Sequence, residues 1–310
     1  MQNVLVLLNA KAGTILDRDQ AEVRKAVESG LAAPGRTVEV RLLAGDELGK
    51  AIRAAGRSEH DTVIIGGGDG SVSIAARSLA HSGKTFGILP LGTLNLLARD
   101  LGMPLELDEA VAALGSARES RIDLATLNGD LFHTISGTGF FSQMARAREM
   151  ARRWKLWRFL AVAIAAVLAL RRAGRFTLDV TVDGEARTVE AFAALVTVNR
   201  FAGPGWRRAR LDEGLLEVHI AEDRGAMAKL KAGADMVTDT WRDNPGILSF
   251  EGREIVLTRR RRSRIWVSTD GELNRERVPL RYTVQPDALT VLVPAARPDN
   301  AATPQRGSIS

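Results

Sequence analysis

A single carboxylate, Asp69, stands among the glycines of Asp61-Thr-Val-Ile-Ile-Gly-Gly-Gly-Asp-Gly-Ser71. Val63, Ile64 and Ile65 form an apolar run of the kind buried on both faces of a parallel sheet. The glycines that end it have no Cβ, so their backbone N–H groups can curl toward an anion. From Ser71 a helical pattern runs through Ala75, Ala76 and Leu79, and a helix N-terminus behind a glycine loop suits bound phosphate. Neither the dinucleotide G-x-G-x-x-G pattern nor a Gly-Lys-Ser/Thr ending is present. Two more polar glycine loops, Asn9-Ala-Lys-Ala-Gly13 and Pro90-Leu-Gly-Thr-Leu-Asn95, follow apolar runs. Each alone reads equally well as a structural turn; three at one sheet edge point to a nucleotide site.

The elements needed to align these loops are legible in the hydrophobic pattern. Strands are predicted at Val4–Leu8, Thr37–Leu43, Thr62–Ile65 and Thr85–Leu89. Helices alternate with them: Asp17 to about Ala32, capped by Asp17, then Asp46–Ala55 and Ser71–Ser82. That alternation predicts a doubly wound parallel α/β domain with its ligand beyond the carboxyl ends of the strands. After Leu114 the pattern changes to an expected hairpin, Arg121–Leu127 and Leu131–Ser136 about Asn128-Gly129, and a long helical region, Ser142–Arg172. Short strands follow at 176–182, 187–198, 215–220, 254–257, 265–268, 281–284 and 289–293, with an inserted helix over Ala226–Trp241. They predict a C-terminal β-sandwich-like domain. The expected division is a nucleotide-binding domain over 1–120, with the strand near 285–294 able to pack back on it, a β-rich substrate domain over 121–294, and a disordered tail over 295–310.

The 310 residues suffice for two cores. The absence of cysteine excludes thiol catalysis, disulfides and cysteine-held metals, and the four scattered histidines lack zinc-ligand spacing, so any metal is expected to be a hard one. A net charge of +6 favours a nucleotide, an anionic membrane or a nucleic acid as partner. One tyrosine and no basic-aromatic motif argue against nucleic acid. Met1–Leu8 lacks a basic n-region and reads as a first strand, so a cytoplasmic chain is expected, and the apolar and basic stretches further along the chain would allow peripheral contact with the inner membrane face. Phe159–Leu170, flanked by basic residues, is shorter than the ~20 residues that span a bilayer; it reads as a core helix with a basic rim or as an interfacial one. The run Arg259–Arg262 with Arg264 reads as a solvated turn or as a surface for anionic lipid.

Gly67-Gly-Asp-Gly-Ser71 and Leu91-Gly-Thr-Leu-Asn95 together resemble the diacylglycerol kinase catalytic-domain family, which includes bacterial lipid kinases and sphingosine kinases. Asn9–Gly13, Ile122-Asp-Leu124, Gly137–Phe140, Asn199, Leu211-Asp-Glu-Gly-Leu-Leu216 and Asp270-Gly-Glu272 extend the resemblance, in order, over roughly residues 1–294. It implies ATP in the interdomain cleft, with Asn9, Gly67, Gly68, Asp69, Gly70 and Ser71 around the phosphates and Thr93 and Asn95 on the opposite wall. It also implies Mg²⁺ near Asp69, Glu272 as the base that takes the proton of a lipid hydroxyl, and a second divalent ion at Asp212 and Glu213. Read without the resemblance, Asp69 could cap the helix at Ser71, Glu272 could follow a plain hairpin turn, and Asp212 and Glu213 could be an acidic turn.

The resemblance is incomplete where the family carries Asn-Glu after the first loop and Asp after the second; here stand Ser73, Ile74 and Leu96. The favoured expectation is an ATP-dependent lipid kinase acting on diacylglycerol, a sphingoid base or a related lipid. The alternatives are an NAD kinase-like enzyme, or an inactive nucleotide-binding membrane sensor. Oligomeric state is not legible.

Overall fold

The computed structural model describes residues 1–16, 18–153, 174–201, 207–225, 231, 235 and 240–295. Its first half alternates strands and helices: β1 (Asn3–Asn9), α1 (Gly13–Leu16), α2 (Gln20–Leu31), β2 (Thr37–Leu43), α3 (Gly45–Ala55), β3 (Thr62–Gly67), α4 (Asp69–Leu79), β4 (Thr85–Pro90), α5 (Leu96–Asp100) and α6 (Leu107–Gly115). The strands are parallel in the order β4-β3-β1-β2. Every residue of β3 and β4 is buried, as a sheet covered on both faces requires. Two helix pairs, α3 with α4 and α2 with α6, supply the cover.

The second half is antiparallel: β5 (Arg118–Leu127), β6 (Asp130–Phe132), β7 (Ile135–Gly139), α7 (Phe140–Arg153), β8 (Phe176–Val182), β9 (Glu185–Val198), β10 (Leu216–Glu222), β11 (Ile247–Gly252), β12 (Glu254–Arg259), β13 (Arg264–Thr269), β14 (Glu272–Arg277) and β15 (Leu280–Val293). The chain thus has an N-terminal α/β domain and a C-terminal β-sandwich-like domain. Their sheets are joined through β15. Its first part pairs antiparallel with β12, and its last part runs parallel to β4 through Thr290–Thr85 and Val291–Phe86. From Tyr282 to Val293 it pairs antiparallel with β5, with a register shift between Gln285 and Leu289. Leu280, Tyr282 and Val284 accordingly belong to the core of the second half, and Leu289, Val291 and Leu292 to that of the first.

Several expectations need correction. Asp19 caps α2, its side chain accepting from Ala21 N; Asp17 lies outside the described residues. α4 begins at Asp69, two residues before Ser71. The expected hairpin survives only as β5 and β6, because at His133-Thr134 the chain leaves β5, and β7 pairs with β9 and β13. Residues 281–284 and 289–293 are one strand with an irregularity, not two. β11 and β14 were not expected, since Glu272-Leu-Asn-Arg-Glu-Arg277 on the sheet edge is mostly exposed and has no apolar alternation. Of the long helical region only α7 is described; 154–172, nearly all of the expected helix over 226–241, and 296–310 lie outside the described residues. Among the described residues, no helix is long and apolar enough to cross a membrane.

Candidate active site

The two polar glycine loops that follow β3 and β4 touch backbone to backbone. A Cβ on Gly92 would come within 2.4 Å of Gly68 Cα, and one on Gly67 within 2.9 Å of Ser71 Oγ, so the close approach itself demands glycine. Leu91 N donates to Gly67 O at 3.1 Å, and Ser71 N and Val72 N share Gly68 O. The N–H groups of Asp69 and Gly70 are the open donors of a helix start. Gly70 and Thr93 are exposed, and Ser71 is partly so.

Asp69 does not cap its own helix. Its Oδ1 accepts from Leu96 N at 2.7 Å and its Oδ2 from Asn95 N at 3.1 Å, so it caps α5 from across the site and ties the second loop to the first. Asn95, expected as a nucleotide contact, has its amide engaged in shaping its own loop. It sits at φ 51°, accepts from Gly92 N at 2.9 Å and donates to Gly92 O at 3.0 Å. Asn9 has a similar local role, accepting from Lys11 N at 3.0 Å.

From α5 a buried polar chain crosses to the second half. Asp100 closes α5 and binds Arg208 through Nε at 2.9 Å and Nη2 at 2.8 Å, both side chains almost wholly buried. Arg208 Nη1 donates to His133 O at 2.7 Å and Val198 O at 3.1 Å. His133 Nδ1 and Thr134 Oγ1 are 2.6 Å apart. The Asp270 carboxylate gathers the N–H groups of His133, Thr134 and Ile135 at 2.9, 3.0 and 3.2 Å. Asp270 and Gly271, at φ 49° and 85°, make the two-residue turn that delivers Glu272 to the start of β14. Burial lowers the His133 pKa, against the opposing pull of Asp270, so the ring is held toward its neutral form.

Glu272 is half-exposed and lies 3.6 Å from Arg77 Nη1 on α4. This one ion pair links the turn to the helix that carries the glycine loop. At such exposure it is worth at most about 1 kcal/mol, so it orients the carboxylate without locking it. Ser73, where the resemblance expects an amide, is buried with an unpartnered Oγ, and Arg77 Nε is likewise unpartnered. Asp212 pairs with Arg210 at 3.1 Å and Glu213 with Arg200 at 2.9 Å. Among the described residues no group of three His, Cys, Asp or Glu could hold a metal ion, and both acids of the Asp212-Glu213 turn are engaged by arginine. Asp123 instead binds Gly214 N and Asp287 N, fastening that turn to β15.

Asp100, Arg208, His133 and Thr134 were not foreseen. Arg208 is one of three arginines in Trp206-Arg-Arg-Ala-Arg210, and nothing in that run marks the buried one. Asp270 was in view only as part of a turn.

The diacylglycerol kinase catalytic domain family matches residues 3–127, and the YegS C-terminal NAD kinase beta sandwich-like domain matches 138–293. A Pseudomonas aeruginosa protein named "Probable lipid kinase YegS-like" is 32% identical over 311 residues, covering 95% of each chain. The chain belongs to the YegS-like lipid kinase family. An uncharacterised Synechocystis protein, sll0036, is 27% identical over 80% of this YegS-like chain, which spans 59% of that relative's length. A solved diacylglycerol kinase structure from Bacillus anthracis shares the fold, with TM-score 0.72, 20% identity and coverage of 95% of this chain and 97% of that one. The two matched regions of the YegS-like chain meet across the β6–β7 corner that Asp270 holds.

Proposed function

We propose that the chain is an ATP-dependent lipid kinase, transferring the γ-phosphate of ATP to a lipid hydroxyl. The observation that carries this reading is the Arg77–Glu272 contact, which joins the helix of the glycine loop to the pinned turn bearing the carboxylate. ATP phosphates bind at the start of α4, on the N–H groups of Asp69 and Gly70 and the hydroxyls of Ser71 and Thr93. Two backbone bonds leave the Asp69 carboxylate with acceptor capacity to hold a hydrated Mg²⁺. The ion, when bound, neutralises charge on the phosphates.

Glu272 accepts the proton of the acceptor hydroxyl. The hydroxyl oxygen of the lipid then forms the new bond to the γ-phosphorus, and the β–γ bridging oxygen leaves with ADP. Loosely held by Arg77, Glu272 can turn to meet the acceptor. An NAD kinase-like activity is the second reading, favoured by the description of the C-terminal family.

Labelled ATP and Mg²⁺ are incubated with micelles of diacylglycerol, monoacylglycerol, sphingosine or phosphatidylglycerol, and with NAD separately. Labelled lipid is expected, and Glu272→Gln is expected to lower kcat at least a hundred-fold with ATP affinity kept within a few-fold. Label on NAD alone selects the second reading, and equal loss of binding and turnover overturns the role of Glu272.

A further inference from the structure

At the edge of the C-terminal half, β13 and β14 border a groove of about 240 Å³ beside the start of α7. Arg259, Arg262, Arg264 and Arg275 line it, and no carboxylate does. Neighbouring arginines on the same surface are neutralised, Arg260 by Asp179 and Arg175 by Glu190. None of the four groove arginines has an ion-pair partner among the described residues.

Arg259 is partly buried with its guanidinium 4.2 Å from the Phe176 ring centroid. Burial, then the charge of Arg262, lower its pKa. Like charges gathered in a partly desolvated groove repel, and an anion placed among them relieves the repulsion. Arginine is also the side chain suited to bidentate phosphate recognition.

The strand register adds an aromatic group. Trp266 faces Arg275 and Arg264 faces Arg277 across the β13–β14 pair, so all four project from one face. Trp266 is 37% exposed, with Arg146 of α7 5.0 Å from its ring centroid. An exposed tryptophan within a basic rim matches the amphipathic belt at a membrane–water interface. The groove has room for one phosphate ester rather than a run of nucleotides. Arg275 lies three residues, ~10 Å, along β14 from Glu272.

We propose that this groove binds the phosphate of an anionic phospholipid headgroup in a bilayer, seating the chain on the membrane at a site separate from the ATP loops. The phosphate chemistry stands on the groove itself, whereas the choice of a membrane lipid as its source rests on the lipid-kinase reading. The Arg259–Arg264 turn then has a role beyond connecting two strands, and β14 carries both the docking contact and the base.

The test is co-sedimentation of the full chain, without ATP, with phosphatidylcholine vesicles containing or lacking phosphatidylglycerol. Wild type is expected to bind only the anionic vesicles, and R262Q/R275Q to bind them about 25-fold more weakly, at about five-fold for each arginine near a membrane surface. The same variant should turn over a water-soluble short-chain diacylglycerol at the wild-type rate. Arginine-dependent vesicle binding without transfer to any lipid would uphold the docking site and sink the kinase reading.

Transfer to the soluble acceptor with vesicle binding unchanged by the substitutions would overturn the docking site alone. Equal binding to neutral vesicles would overturn it as well. So would arginine-dependent binding of inorganic phosphate, by calorimetry, or of single-stranded RNA, if vesicles are not bound.

Discussion

Asp69 has two tasks that sequence alone presents as alternatives. Its oxygens cap α5 while sitting at the mouth of the glycine loop, so helix stability and nucleotide affinity are coupled through one carboxylate. Asp69→Ala should lower the unfolding free energy by about 1 kcal/mol, the worth of a helix cap, in urea titrations. It should also weaken Mg-ATP at least ten-fold in calorimetry, by about the 1.4 kcal/mol that such a change represents. Loss of stability with unchanged ATP affinity would leave only the cap. That Asp69 matters was legible, because one acid among five residues of otherwise small or apolar type has few structural uses. What it binds was not, since its partners lie 26 and 27 residues away.

His133 offers a residue-scale reading of pH. With its folded pKa depressed by burial, the unfolded chain takes up a proton near pH 6.5 that the folded chain refuses. Its contribution to stability is therefore complete above about pH 6.5 and lost as the pH falls from there toward the folded pKa. Urea midpoints measured across that window should fall for wild type and fall less for His133→Gln.

At the scale of elements, α5 and the β6–β7 corner are short pieces with little propensity of their own, and the Asp100–Arg208 pair holds one to the other. Its guanidinium is fully supplied with acceptors, which is the condition for a buried pair to be tolerated. Breaking it from either side strands a buried charge. Asp100→Ala and Arg208→Ala should each cost about 3–5 kcal/mol, and the double variant less than their sum, in a double-mutant cycle by denaturant titration. Additive losses would show that the two side chains act independently. The main strands and helices of the first half were legible because each carries its own apolar period. β14 was not, because an exposed edge strand owes its conformation to hydrogen bonds with β13 rather than to burial.

At the scale of the molecule, β15 joins two cores. The residues after its irregularity complete the first half's core from the far end of the chain, pairing with β4 and β5. Truncation after Gln285 should therefore expose the edge of β4, strip Leu289, Val291 and Leu292 from the first core and leave the whole chain insoluble or without a cooperative melt by circular dichroism. A soluble truncated chain that still binds ATP would show that the first half stands by itself. A stretch of the last strand is thus packed in the core of the first half, although it lies at the far end of the chain.

The alternating α/β half, the β-rich half and the three glycine loops are written in the local pattern of the chain. Apolar periodicity and the absence of a Cβ are local properties, readable in any context. The packing of the whole chain set the rest: that Asp69 caps a distant helix, that Asn95 is occupied by its own loop, and that one arginine of three is buried against Asp100. It also decided that the arginines around Arg259 would converge on a groove rather than disperse into solvent. Hydrogen-bond partners and local dielectric are set by groups far apart in the chain, and no spacing rule within a segment contains them.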